Sequence, residues 1–119
     1  MFKVSGSEGA FTRAPGNATL IPGTLLRLNC STTLSAPVLW TFTAEESTNI
    51  MEVTDHNANV SPNFAPYFYI VSDSTSQYDL VAHTSNANES YCGTYNCIEN
   101  FGVGDTRTAT VASKYTYIR

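Results

Sequence analysis

A tyrosine lies two residues ahead of a cysteine in Tyr95-Asn96-Cys97, and two upstream runs share that period of two: Leu26, Leu28, Cys30 and Val38, Trp40, Phe42. Strand side chains alternate between faces, so residues two apart share one. Tyr95 and Cys97 therefore point into one core, and so do Leu28 with Cys30 and Trp40 with its apolar neighbours. Nowhere do apolar residues recur every three or four positions as an amphipathic helix requires, so the chain should be nearly all β.

Cys30, Trp40 and Tyr95-x-Cys97 in this order resemble the core signature of the immunoglobulin superfamily, over about residues 17–118. The resemblance implies an all-β, two-sheet Greek-key sandwich with a Cys30–Cys97 cross-sheet disulfide packed on a buried Trp40, and with Leu28 and Tyr95 in the same core. Such a bridge needs an oxidising compartment, which implies a secreted protein or the ectodomain of a membrane protein.

At 119 residues with 42% apolar content, there is room for one domain with one ordinary core, residues 1–119, of which 1–10 are expected to be flexible. Ten acidic residues against six basic give a net charge of −4 without a basic cluster, which argues against nucleic acid and anionic membranes as partners. No apolar run approaches the roughly 20 residues of a membrane helix, and Met1 to Gly6 lack the apolar stretch of a secretory signal. Met1 reads as a start codon added to an excised ectodomain, with signal, anchor and any further domains lying outside it.

In the lettering of that family, Pro22-Gly23 marks a turn before strand B at 24–30. The BC loop is then 32–37, strand C 38–43, C′ 50–53, D 67–71, E 78–83, F 93–98 and G 107–117, with residues 55–66 a long loop that has room for a weak C″ edge. The interval from Cys30 to Cys97 leaves space for C′ and C″, as in variable-type (V-set) domains. Phe101-Gly102-Val103-Gly104 resembles the Phe-Gly-x-Gly bulge that opens strand G in joining segments of V-J receptors, its glycines supplying φ > 0. The same residues also fit an ordinary FG hairpin of the intermediate-set kind, and both readings stay open. Only Ile98, Glu99 and Asn100 separate this stretch from Cys97, and so short a loop, together with the missing pairing residue on strand C, counts against an antigen-receptor chain. Tyr91 replaces the aspartate usual six residues before the strand F cysteine, and the outer face of strand C, with Leu39, Thr41 and Thr43, lacks the pairing glutamine.

Cys92 is left over once Cys30 and Cys97 pair. Its odd offset from Cys97 puts it on the opposite face of a continuous strand, as an idle half-buried corner residue, a link in a homodimer, or the mate of a cysteine outside the sequence. Sequons at Asn17, Asn29, Asn59 and Asn88 suggest a glycoprotein, Asn17 and Asn88 having the better contexts.

Catalytic chemistry finds little support. His56 beside Asp55 and His83 near Asp79 lack the further ligands of a zinc site and read as ordinary surface histidines, so the chain is expected to be no enzyme and to need no cofactor or metal. Function should then lie in surface and loops. One reading is an immune-type recognition module, host or pathogen-encoded, that binds a protein ligand through CDR-like loops or the CC′FG face. Its candidate contacts are Thr33 and Leu34 in the BC loop and Ile98, Asn100, Phe101 and Val103 in the FG hairpin. The alternatives are a homophilic adhesion or structural domain, dimerising through a sheet face or Cys92, and glycan binding in a loop cleft.

Overall fold

The computed structural model describes residues 10–83 and 89–113, with only the backbone of His83 and Glu89. The sequon asparagine Asn88, the last residues of the expected strand G and its tyrosines Tyr115 and Tyr117 lie outside the described residues.

Ten strands form among the described residues: β1 Phe11–Arg13, β2 Ala18–Leu20, β3 Leu25–Leu28, β4 Ser31–Thr32, β5 Leu39–Ala44, β6 Met51–Glu52, β7 Phe68–Val71, β8 Asp79–His83, β9 Gly93–Ile98 and β10 Thr106–Ser113. A five-stranded sheet runs β2-β10-β9-β5-β6, a three-stranded sheet β3-β8-β7 packs against it, and β1 pairs with β4. All pairs are antiparallel except β2 with β10, which is parallel. Alternation shapes the two layers: Gly93, Tyr95 and Cys97 of β9 turn inward, as do Leu26 and Leu28 of β3. Between the layers lies one core containing Leu28, Trp40, Phe42, Leu80, Tyr95 and Val111.

Cys30 and Cys97 form the cross-sheet disulfide, and Trp40 is paired directly opposite Cys97. Burying an indole leaves its N–H needing an acceptor, and Nε1 of Trp40 donates to the Tyr78 carbonyl at 2.8 Å. The Tyr95 hydroxyl donates to the Tyr91 carbonyl at 2.6 Å, the tyrosine-corner bond of sandwiches of this kind. Burial pushes the Tyr95 phenol well above its usual range, with smaller contributions from Cys92 and Tyr91. In place of a charged pair at this end of the sandwich, Tyr91 packs its ring against Phe64, Tyr67 and Phe68.

Several sequence expectations change. The C″ edge is absent among the described residues: Thr54 and Val60 make an isolated bridge, and turns occupy most of 61–67. The Phe-Gly-x-Gly stretch does not open β10, because Ile98 pairs with Thr106 and the β9–β10 register continues without a shift, leaving Phe101 to Gly104 inside the connection. Cys92 does not face outward. Strand β9 stops at Gly93, whose φ of 152° breaks the alternation, and Cys92 turns into the core at 1% exposure. An intermolecular disulfide there would require the corner to open first.

Gly93 has no substitute at that position. A Cβ would overlap the Thr43 carbonyl oxygen and approach the Ala44 Cα to 2.9 Å, both backbone atoms that cannot step aside. Gly93→Ala should therefore lose about 2–3 kcal/mol of stability through overpacking and backbone strain, measured as a lower urea midpoint at unchanged m-value.

A candidate protein-recognition face

The outer face of the five-stranded sheet is built by the strand register. Three rows cross β5, β9 and β10: Leu39–Ile98–Thr106, Thr41–Asn96–Thr108 and Thr43–Thr94–Thr110. No residue in these rows carries a charge. The middle row is a hydrogen-bonded ladder, with Asn96 Nδ2 donating to Thr41 Oγ1 at 3.3 Å and Thr108 Oγ1 donating to Asn96 Oδ1 at 2.6 Å. Each Asn96 amide end is thereby assigned, which fixes the side chain against the sheet. Beside Thr41 on β6 stands Glu52, and Ile50, just before β6, is an exposed apolar residue at the same edge.

Above the sheet, the 99–105 hairpin folds over the upper row. Backbone bonds close it, Glu99 N donating to Asp105 O and Gly104 N to Glu99 O, both at 3.0 Å. The Glu99 carboxylate then accepts from Asp105 N at 3.3 Å and from Ala10 N at 2.9 Å, tying the hairpin to the start of β1. Gly102, at φ 87°, lies so close to Leu39 that a Cβ would stand 2.8 Å from Leu39 Cδ2. Leu39 is buried in consequence, although strand alternation turns it outward.

Asn100 and Phe101 hold φ of 56° and 58° in succession. A bulky residue in this left-handed region is strained by about 1–2 kcal/mol and persists only where its surroundings fix it. Two bonds do so. Phe101 N donates to the Pro37 carbonyl at 2.7 Å, and the Phe101 carbonyl meets Nδ1 of His56 at 2.7 Å. The backbone is pinned while the side chains are not: Phe101 is 44% and Val103 75% exposed.

Asn100 is exposed beside Phe101, and Ile98 is half-buried in the upper row. In the BC loop, Thr33 N donates to the carbonyl of Ala10, whose own amide is bonded to Glu99 of the hairpin, while the Leu34 carbonyl accepts from Ser76 Oγ of the 72–78 connection. Reading the sequence missed the hydroxyl rows and His56. The rows were visible as alternating Thr41/Thr43, Thr94/Asn96 and Thr106/Thr108/Thr110; the partners of His56 lie in another loop and had no local signal.

A separate concavity of about 490 Å³ opens between β6 and the 89–91 turn, walled by Phe42, Met51, Phe64 and Tyr91. Desolvation by burial raises the Tyr91 phenol, with Tyr67 adding to the effect. Among the described residues no group of three or more His, Cys, Asp or Glu side chains could hold a metal ion, and no helix is long and apolar enough to cross a membrane.

No protein-family model matches the chain, and no curated protein matches it significantly by sequence. Solved structures do match in shape. The first immunoglobulin domain of the mouse polymeric immunoglobulin receptor superposes with a TM-score of 0.65 at 11% identity, covering 88% of this chain and 94% of that one. The fold is immunoglobulin-like. The first immunoglobulin domain of Dpr11 bound to DIP-gamma gives a TM-score of 0.61 at 16% identity over 87% of this chain and 49% of the matched one. A chimeric titin Z1Z2 tandem carrying a GRGDS peptide gives 0.59 at 17% identity, over 87% and 48%. The immunoglobulin-like domain thus spans about half the length of these last two chains.

Proposed function

We propose that this domain is an extracellular recognition module that binds a protein partner through the neutral rows of β5, β9 and β10 together with the 99–105 hairpin. The observation that carries the reading is Phe101, a large apolar side chain left 44% exposed on a backbone that is strained and pinned. Strain tends to be kept where a side chain must be presented in one geometry, and aromatic anchors on preorganised loops dominate interface energetics. The uncharged rows support the same site, because charged residues are depleted at interface centres, where desolvating them is costly. Dpr11, similar in fold, is itself bound to another protein.

The Cys30–Cys97 disulfide supports an oxidising, extracellular setting for the module. Glycans fit this setting at Asn17 and Asn59, which are exposed, better than at half-buried Asn29 next to the disulfide. The Oδ1 of Asn17 accepts from Thr110 N at 2.8 Å, so a glycan there would border the β10 edge of the face.

An avid multimer of the domain should be screened against an array of cell-surface ectodomains, beside the variants Phe101→Ala/Val103→Ala and, as a control on the other sheet, Leu25→Ala. The double variant should weaken a specific interaction by at least about 2 kcal/mol, roughly thirty-fold, while the control binds as the wild type does. Equal loss in both variants, or none in the first, would move the site elsewhere.

Self-association is the second reading. In a chain of net charge −4, the neutral rows are the surface on which a second copy meets no repulsion. Reversible dimers in sedimentation velocity, abolished by Asn96→Lys, would favour it over a distinct ligand.

A further inference from the structure

His56 sits where three segments meet. Its Nδ1 lies 2.7 Å from the Phe101 carbonyl oxygen, its Nε2 lies 3.8 Å from Oε2 of Glu52 on β6, and a Cβ on Gly102 would come within 3.2 Å of the ring. A carbonyl oxygen only accepts, so the Nδ1 facing it carries the proton. In the neutral ring Nε2 is then a lone-pair acceptor turned toward the Glu52 carboxylate, which offers it nothing. In the imidazolium both nitrogens donate, one to the hairpin and one toward Glu52.

We propose that His56 is the positioning residue of the recognition hairpin and that its protonation tightens the hairpin onto the five-stranded sheet. Protonation takes nothing from the Nδ1 bond and adds an Nε2 donor facing Glu52. The sign follows from the geometry. The charged ring makes the added contact toward Glu52 and the neutral ring does not, so the added hold belongs to the protonated form.

The surrounding charges agree with that sign. Glu52 faces Nε2 from β6, and Asp55, next to His56 in the 54–60 loop, interacts with the ring as well. The Asp55 carboxyl is held below its usual range by the Asn59 and Asn57 amides, so it stays negative at pH 5.5 and above. In the hairpin, Glu99 is occupied by Ala10 and Asp105, and β5 brings no charged residue. Among the described residues, no cation stands near enough to pair with Glu52 in place of His56.

Only the functional consequence, pH-dependent ligand binding, rests on the recognition reading; the structural claim does not. Amide exchange at Phe101, Val103 and Gly104, followed by NMR at pH 5.5 and 7.5 and corrected for intrinsic rates, tests the structural claim in the free domain. Protection in the wild type should rise about two- to five-fold at the lower pH, the range of one partly exposed ion pair. His56→Ala should lose protection at both pH values. His56→Asn, whose amide can still donate to the Phe101 carbonyl, should recover the pH 7.5 level without any pH dependence. Glu52→Gln should keep the basal hold and lose the acid increment. A wild-type hairpin with pH-independent exchange, or a His56→Ala hairpin as protected as the wild type, overturns the proposal. If exchange follows the prediction while binding of the array partner ignores both pH and His56, the device stands and the hairpin is not the binding site.

Discussion

Asp79→Ala should destabilise the domain by about 3 kcal/mol, although the residue lies far from the recognition face. Its side chain is fully buried and accepts from Cys30 N at 2.9 Å, Gln77 Nε2 at 3.0 Å and Arg27 NH2 at 2.8 Å, with Arg13 NH2 at 3.2 Å completing an ion-paired cluster. Removing the carboxylate orphans the Cys30 amide in the core and leaves two guanidiniums to water. They are 43% and 41% exposed, which keeps the loss at the lower end for a broken buried pair. Asp79→Asn, retaining an acceptor but not the charge, should lose about half as much. Burial alone would raise the Asp79 carboxyl; the Cys30 amide, Arg27, Gln77 and Arg13 outweigh it and hold it below the ordinary carboxylate value of 3.8. The stabilisation is therefore complete well above pH 3.8 and is lost as pH falls through the lower folded value. Urea midpoints at pH 7 and pH 3 check this, because the gap between wild type and Asp79→Asn should narrow at the acid end. A gap that is constant with pH would mean the charge contributes nothing.

Removing the disulfide should have an effect at least as large. Cys30 and Cys97 are 67 residues apart, and closing such a loop restricts the unfolded chain by about 4 kcal/mol in the chain-entropy account. Against typical domain stabilities of about 5–15 kcal/mol, Cys30→Ala/Cys97→Ala should be marginal or unfolded at 37 °C. Thermal unfolding followed by circular dichroism measures it. A double variant that melts within a few degrees of the wild type would show that Trp40 and its neighbours hold the two sheets together without the bridge. Because Cys92 is buried, it can replace neither partner without the corner around Gly93 rearranging.

Both predictions concern the part of the molecule that period-two reasoning reaches. Leu26, Leu28 and Cys30, then Trp40 and Phe42, then Tyr95 and Cys97, define inward faces from sequence alone, and the strands around them formed within a residue or two of expectation. Strand β1 had no such signal. It is three residues long and is held by tertiary bonds, Ala10 to Glu99 and Arg13 to Asp79, that span 89 and 66 residues. Cys92 was misplaced because alternation assumes an unbroken strand, and Gly93 ends it with a conformation that only a glycine fits. Likewise the Phe-Gly-x-Gly stretch supplies the φ > 0 that either a bulge or a hairpin needs; left-handed Asn100 and Phe101 put it in the hairpin. The candidate site was half visible. Phe101 and Val103 stood out as apolar residues at a loop tip, whereas the neutral rows acquire meaning only once the register aligns Thr41, Asn96 and Thr108.

Hydrogen-exchange footprinting of the domain on a partner selected from the ectodomain array is the most direct test of recognition through this face. New protection should fall on the 94–98 and 106–110 amides and on the 99–105 hairpin. Protection confined to 25–28, 68–71 and 79–83, with the hairpin unchanged, would place the interface on the opposite sheet and contradict the account.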